Sequence, residues 1–367
     1  MYLKRLKLKN YRQFPDVDIS FNEGINVLIG KNSSGKSSIL EAIDFLLSKD
    51  NGYYSAEDIV PYSMRNQEAI QARIDGFFEI SELEKESLCA ILDDPKDCEK
   101  IRKSHMELIY TKHINKDKTT MVEQEINGNG ISCGPKLMAK ISNLFGFKLQ
   151  TNNIIRMTDV ENNYGLQKLR PNNELLTEIS HQTFVLYQYL RNKLFEMKLR
   201  DIDKYNKIQN ELKKAYPEIP DMDMDIEFDP NLAQLQIYFS TFGSEIKMPL
   251  EDQGAGIREF FYLFLTLHCF PDTVILKDEA FTHLHKSLLS DFLLSIAGFQ
   301  FQLITTSHIK ELINTLDFGN IIICRRDNGV STAKNMMQME EINTVLSDLG
   351  YPIETIPELQ EIYQEVS

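Results

Sequence analysis

Residues Gly30-Lys-Asn-Ser-Ser-Gly-Lys-Ser37 fill every fixed position of G-x-x-x-x-G-K-[ST], and nothing else in the chain narrows its fold as far. Its two glycines let the backbone curl until successive N–H groups face one anion. The lysine adds a positive charge and the Ser37 hydroxyl a metal ligand. Such a loop needs a strand before it and a helix behind it. Ile25-Asn-Val-Leu-Ile29 is an apolar run ending at the first glycine, and Ile39, Leu40, Ile43, Leu46 and Leu47 recur at helical spacing behind Ser37. At average composition the pattern arises by chance in about one chain in a hundred of this length. The expectation is an α/β fold in which Gly30, Asn32, Ser33, Ser34, Gly35, Lys36, Ser37 and Ser38 surround the phosphates of ATP.

Three downstream segments fit the same chemistry. Thr273-Val-Ile-Leu276 is a strand followed by Lys277, Asp278 and Glu279. Asp278 is expected to hold Mg²⁺ together with Ser37, and Glu279 to act as general base on the attacking water, with Lys36 completing the catalytic set. Thr305-Thr-Ser-His308 ends another apolar run, where His308 is expected to sense the γ-phosphate. Gly254 and Gly256 open an apolar helix whose N-terminus suits a second anion, the γ-phosphate held by another copy of the chain. His283 and His285 supply two ligands with no third in view, so no metal centre is expected there. No nucleophile motif for acyl transfer is present.

Composition sets limits. The formal net charge of −14 argues against a chain that coats nucleic acid, so any nucleic-acid binding is expected to be weak. Arg191 to Lys214 is locally basic, Glu218 to Asp229 acidic, and no basic residue follows Lys334. The five cysteines lack the spacing of a zinc or redox site and are expected to be unpaired, buried small hydrophobes in a reducing, cytoplasmic compartment. No apolar run approaches the roughly 20 residues of a membrane span, so no membrane association is expected. A stripe of Leu176, Ile179, Leu186, Leu190, Leu194 and Met197 marks a long helix reaching, after a break, to Lys214.

Together Leu8-Lys-Asn-Tyr-Arg12, the Gly24–Ile43 segment, Gln253-Gly-Ala-Gly-Ile257, Asp278-Glu-Ala-Phe-Thr-His-Leu-His285 and Thr306-Ser-His308 resemble the RecF/SMC-type branch of ABC ATPases, most closely the ATPase half of OLD (overcoming lysogenization defect) family proteins. That resemblance implies an ABC-type P-loop ATPase head with a mixed sheet and a helical insertion. It also implies a nucleotide contact for Arg12 and a signature role in trans for Gly254 and Gly256. Departures are Ala255 for a signature serine, Ala280 for a proline, and Lys277 within an apolar strand. The expected organisation is an N-terminal ATPase lobe (1–80), an insertion helical in its second half (81–235), a C-terminal ATPase lobe (236–335) and an acidic segment (336–367). OLD proteins continue into a TOPRIM nuclease domain, for which too few residues follow His308. The resemblance therefore points to a homodimer or higher homo-oligomer serving a separate effector protein, such as a TOPRIM nuclease, in anti-phage systems of the PARIS kind. The alternatives are a RecF-like DNA-maintenance ATPase and a small-molecule phosphotransferase.

Overall fold

The computed structural model describes residues 2–47, 59, 71–91, 95–103, 106–115, 120–128, 154–157, 175, 183–216, 223–229, 234–240, 247–270, 273–296, 300–338, 341, 344 and 347. The chain opens with an antiparallel pair, β1 (Tyr2–Tyr11) and β2 (Phe14–Ser20). Next, β3 (Gly24–Ile29) enters the glycine loop and α1 (Lys36–Leu47) leaves it. β4 (Gln71–Glu79) returns beside β1. Helices α2 (Glu82–Ile91) and α3 (Pro95–Lys103) precede the hairpin of β5 (Met106–Asn115) and β6 (Thr120–Gly128), which completes an antiparallel sheet in the order β2-β1-β4-β5-β6.

A second sheet carries the chemistry. β7 (Ile154–Met157) is followed by α4 (Thr183–Arg200), α5 (Ile202–Ala215), and a small antiparallel sheet of β8 (Asp223–Asp229), β9 (Gln234–Ser240) and β10 (Met248–Pro249). The chain continues through α6 (Ala255–Cys269), β11 (Val274–Lys277), α7 (Lys286–Ser295), β12 (Gln302–Thr306), α8 (Lys310–Thr315), β13 (Ile321–Asp327) and β14 (Val330–Asn335). Strand order is β14-β13-β3-β12-β11-β7, with five parallel strands and β14 antiparallel at the edge. The sheet is therefore mixed, as expected. Residues 81–235 supply α4 and α5, but also β5 and β6 to the first sheet and β7 to the second.

Near-continuous apolar strands are what a parallel sheet covered on both faces requires, because successive side chains point to opposite sides. Ile25, Val27, Ile29, Ile275, Leu303 and Ile323 face one core, shared with α4, α5 and α6. Leu28, Val274, Leu276, Ile304 and Ile322 face the other, shared with α1 and the first sheet. Helix α1 is thus enclosed between the two sheets. A polar seam joins them: Gln302, 2% exposed, accepts from Leu3 N (2.9 Å) and donates to Leu3 O (2.8 Å) and Asn22 O (3.1 Å).

Some expectations need correction. Cys89 and Cys98 are not unpaired: α2 and α3 pack together with these Cα atoms 4.9 Å apart, and the sulfurs form a disulfide. Cys324 is buried and Cys269 half-buried, while Cys133 lies outside the described residues. The stripe from Leu186 to Met197 lies on α4, which breaks from α5 at Asp201; Leu176 and Ile179 lie outside the described residues. The acidic stretch before Asp229 is in part the strand β8, with Met224 and Ile226 buried between its acids.

Candidate nucleotide site

The glycine loop needs its glycines for space as much as for backbone freedom. Gly30 has φ 150° and lies so close to β13 that a Cβ would meet Cys324 O at 2.1 Å; at Gly35, φ 106°, a Cβ would meet Phe14 Cζ at 2.5 Å. Lys36, 8% exposed, donates to Gly30 O (2.8 Å) and Lys31 O (3.1 Å), so its ammonium lies across the loop. Burial pushes its pKa down, while Cys324, Asp278 and Glu279 pull the other way. The Ser34 hydroxyl is buried inside the loop without a hydrogen-bond partner among the described residues. A cavity of about 580 Å³ borders the loop at Lys31, Asn32 and Ser34 and extends to Arg325, Arg326 and Asn328 at the β13–β14 turn.

Strand pairing brings the remote acids here. β12 lies between β3 and β11, and the Ser37 hydroxyl donates to Asp278 Oδ2 at 2.9 Å across 241 residues of sequence. The other oxygen of Asp278 accepts from the Thr306 hydroxyl, which in turn accepts from Glu279 N at 2.8 Å. Thr305 Oγ1 accepts from Ala280 N at 3.1 Å. Glu279 itself is exposed. A hydroxyl and a carboxylate side by side are hard oxygen donors. Among the described residues no group of three His, Cys, Asp or Glu surrounds them. An ion seated there would take the rest of its shell from phosphate and water, as Mg²⁺ ordinarily does.

His308 follows β12 half-buried; burial and then the Lys36 charge lower its pKa, against the pull of Glu279 and Asp278. Its ring is therefore neutral at physiological pH. At the other end of the loop, Ser38 Oγ accepts from Gln13 Nε2 (3.0 Å) and Arg12 Nη1 (3.4 Å), and Arg12 also pairs with Glu41. Gly254 caps the start of α6 in the open, whereas Gly256 presses on His283, where a Cβ would meet the carbonyl oxygen at 2.5 Å. Lys277 does not merely interrupt an apolar strand: its Nζ lies 3.2 Å from Glu259 Oε1, both side chains buried. Gln13, Glu259, Thr305 and Thr306 escape sequence reasoning as site residues; the adjacent threonines closing a buried strand were the one available signal.

The sequence matches the family described as AAA ATPase domain over residues 1–313. Over 80 residues it is 38% identical to the DNA replication and repair protein RecF of Halalkalibacterium halodurans, covering 22% of this chain and 20% of that protein. Over 68 residues it is 41% identical to the DNA double-strand break repair Rad50 ATPase of Thermoplasma volcanium, covering 18% of this chain and 8% of that one. The matched segments thus span a fifth or less of these relatives. An Smc head solved with the C-winged helix domain of ScpA superposes with a TM-score of 0.57 at 17% identity, over 93% of this chain and 99% of the other. An Smc head with an extended coiled coil from Pyrococcus furiosus gives 0.52 at 17% identity, over 95% and 99%. At that identity the likeness establishes the fold, an SMC-head-like α/β architecture.

Proposed function

This chain belongs to the AAA ATPase domain family and is an ATPase of RecF/SMC type, and from that premise we propose that two copies close head to tail around ATP and Mg²⁺ and sense for, or scaffold, a separate effector in bacterial defence against phage. The observation that carries the ATP reading is the Ser37–Asp278 contact, which joins the glycine loop to the acids after β11. Loop amides and Lys36 bind the β- and γ-phosphates. Ser37 and Asp278 hold the metal, which when bound neutralises phosphate charge. Glu279 accepts the proton of the attacking water, and the neutral His308 donates or accepts one hydrogen bond at the γ-phosphate. Gly254 and Gly256, at the start of α6, cap the γ-phosphate bound by the other copy, while Arg12 and Ser38 serve the nucleotide held by their own glycine loop. The effector assignment rests on the OLD-like motifs Gln253–Ile257 and Asp278–His285, with a TOPRIM nuclease as the effector and the cytoplasm as the compartment. No helix among the described residues is long and apolar enough to cross a membrane.

The segment related to RecF supports a second reading, an ATPase of DNA repair or maintenance that contacts DNA itself. Both readings require the ATP chemistry, and co-purification and DNA binding separate them. Lys36→Ala should abolish ATP binding, and Glu279→Gln should retain ATP and accumulate dimers on size exclusion. Co-expression with the product of the adjacent gene should give a complex that Lys36→Ala loses. A neighbour that fails to co-purify, together with a salt-dependent DNA shift by the isolated chain, would replace the first reading with the second.

A further inference from the structure

The loop after β11 is held in an unusual shape. Glu279 (φ 51°) and Phe281 (φ 71°) both occupy left-handed backbone, a region that a residue as bulky as phenylalanine rarely enters. Side-chain oxygens receive the amides that this shape turns away from any ladder. Thr306 takes Glu279 N, Thr305 takes Ala280 N, and the two oxygens of Glu259 take Phe281 N at 2.9 Å and His283 N at 3.3 Å.

The threonines belong to the neighbouring strand of the same sheet, but Glu259 belongs to α6, one turn behind Gly254 and Gly256. The backbone contact of Gly256 with His283 O ties the same two segments a second time. Lys277, the last residue of β11 and the one before Asp278, completes the arrangement with its ammonium 3.2 Å from Glu259; each side chain is 4% exposed. A buried ion pair is weak evidence for stability, because desolvation offsets the attraction. Its geometry, however, is fixed, since neither charge can leave its partner without being stranded away from water.

We propose that Glu259 and Lys277 are positioning residues for ATP hydrolysis, holding the loop that carries Glu279 in its left-handed form and fastening it to the helix behind Gly254 and Gly256, so that base and glycine loop are placed as one unit. The inference rests on the ATPase reading above. Glu259 receives Phe281 N, His283 N and the Lys277 ammonium, contacts that place the loop of the base and not the phosphates, so the affinity for ATP and the turnover number should separate.

The test is Glu259→Gln, Lys277→Met and the double variant, with ATP affinity measured by equilibrium binding and turnover at saturating ATP. Glutamine keeps the volume but offers one acceptor oxygen where two amides need acceptors, and points a donor at Lys277. Glu259→Gln should lower kcat at least tenfold while the ATP Kd stays within twofold of wild type. The double variant should turn over no more slowly than Glu259→Gln, because both residues serve one arrangement. If Glu259→Gln does not fold, the double variant, which strands no charge, is compared with wild type on the same two measurements. Turnover within twofold of wild type overturns the proposal, as does a Kd that weakens in step with kcat, or losses that multiply in the double variant. A wild-type chain that binds ATP but never hydrolyses it overturns the ATPase reading as well; unchanged turnover in an active enzyme overturns this inference alone.

Discussion

At the scale of single residues, Lys112 shows how a charge can be buried in this fold. It lies on β5, 1% exposed, with its ammonium 2.6 Å from Phe45 O at the end of α1 and 4.6 Å from the Phe45 ring centroid. Burial lowers its pKa from 10.5 to about 8, against the pull of Asp44. Between those two pH values the unfolded chain holds a proton that the folded chain does not. Lys112 therefore makes stability rise with pH across that window, by about 3 kcal/mol in total. In urea unfolding, the stability of wild type relative to Lys112→Met should be greater at pH 10.5 than at pH 8, a difference that isolates Lys112 from the buried Cys269 and Cys324 thiols, whose raised pKa acts in the opposite direction. Gly35→Ala should be as damaging to ATP binding as Lys36→Ala, since the new methyl group meets Phe14. The glycines, Lys36, Ser37 and Asp278 could be read in the sequence because phosphate chemistry fixes both their types and their order. Glu259 and Thr305 could not, because their roles are to receive amides more than twenty residues away, and such a role leaves no local pattern.

At the scale of elements, what could be read followed burial. The strands β3, β11 and β12 are covered on both faces; β3 and β11 are mostly apolar, and β12 carries Leu303 and Ile304 between Gln302 and the two threonines. The strand β5 was missed because its centre carries Thr111 and Lys112, polar residues that are nonetheless buried, with Thr111 bonded to Asp75 at 2.6 Å. The strand β8 was hidden by its composition: Asp223, Asp225, Glu227 and Asp229 alternate with apolar residues, and Phe228 faces solvent. The break in the long helical stretch has a local cause, for Asp201 caps α5 by accepting from Lys204 N at 3.2 Å. Asp201→Ala should cost about 1 kcal/mol, measured as a lower midpoint in denaturant, and Asp201→Asn should restore most of it.

For the molecule as a whole, the enclosure of α1 between two sheets ties nucleotide binding to global stability. Ligand that binds only the folded chain stabilises it by about 2.7 kcal/mol at a hundred times Kd. ATP with Mg²⁺ should therefore raise the melting temperature of wild type and leave that of Lys36→Ala unchanged. The net charge and the RecF/SMC-type ATPase likeness were legible from the outset, whereas the enclosure was not, since it depends on β1, β2 and β4 returning over a helix they follow or precede by many residues. The seam at Gln302 carries its own consequence. Because Gln302 fastens Leu3 and Asn22 to the parallel sheet, while β1 pairs with β4 and β3 runs between β12 and β13, a protease that nicks the chain between α1 and β4 should yield fragments that still elute together and part only in denaturant.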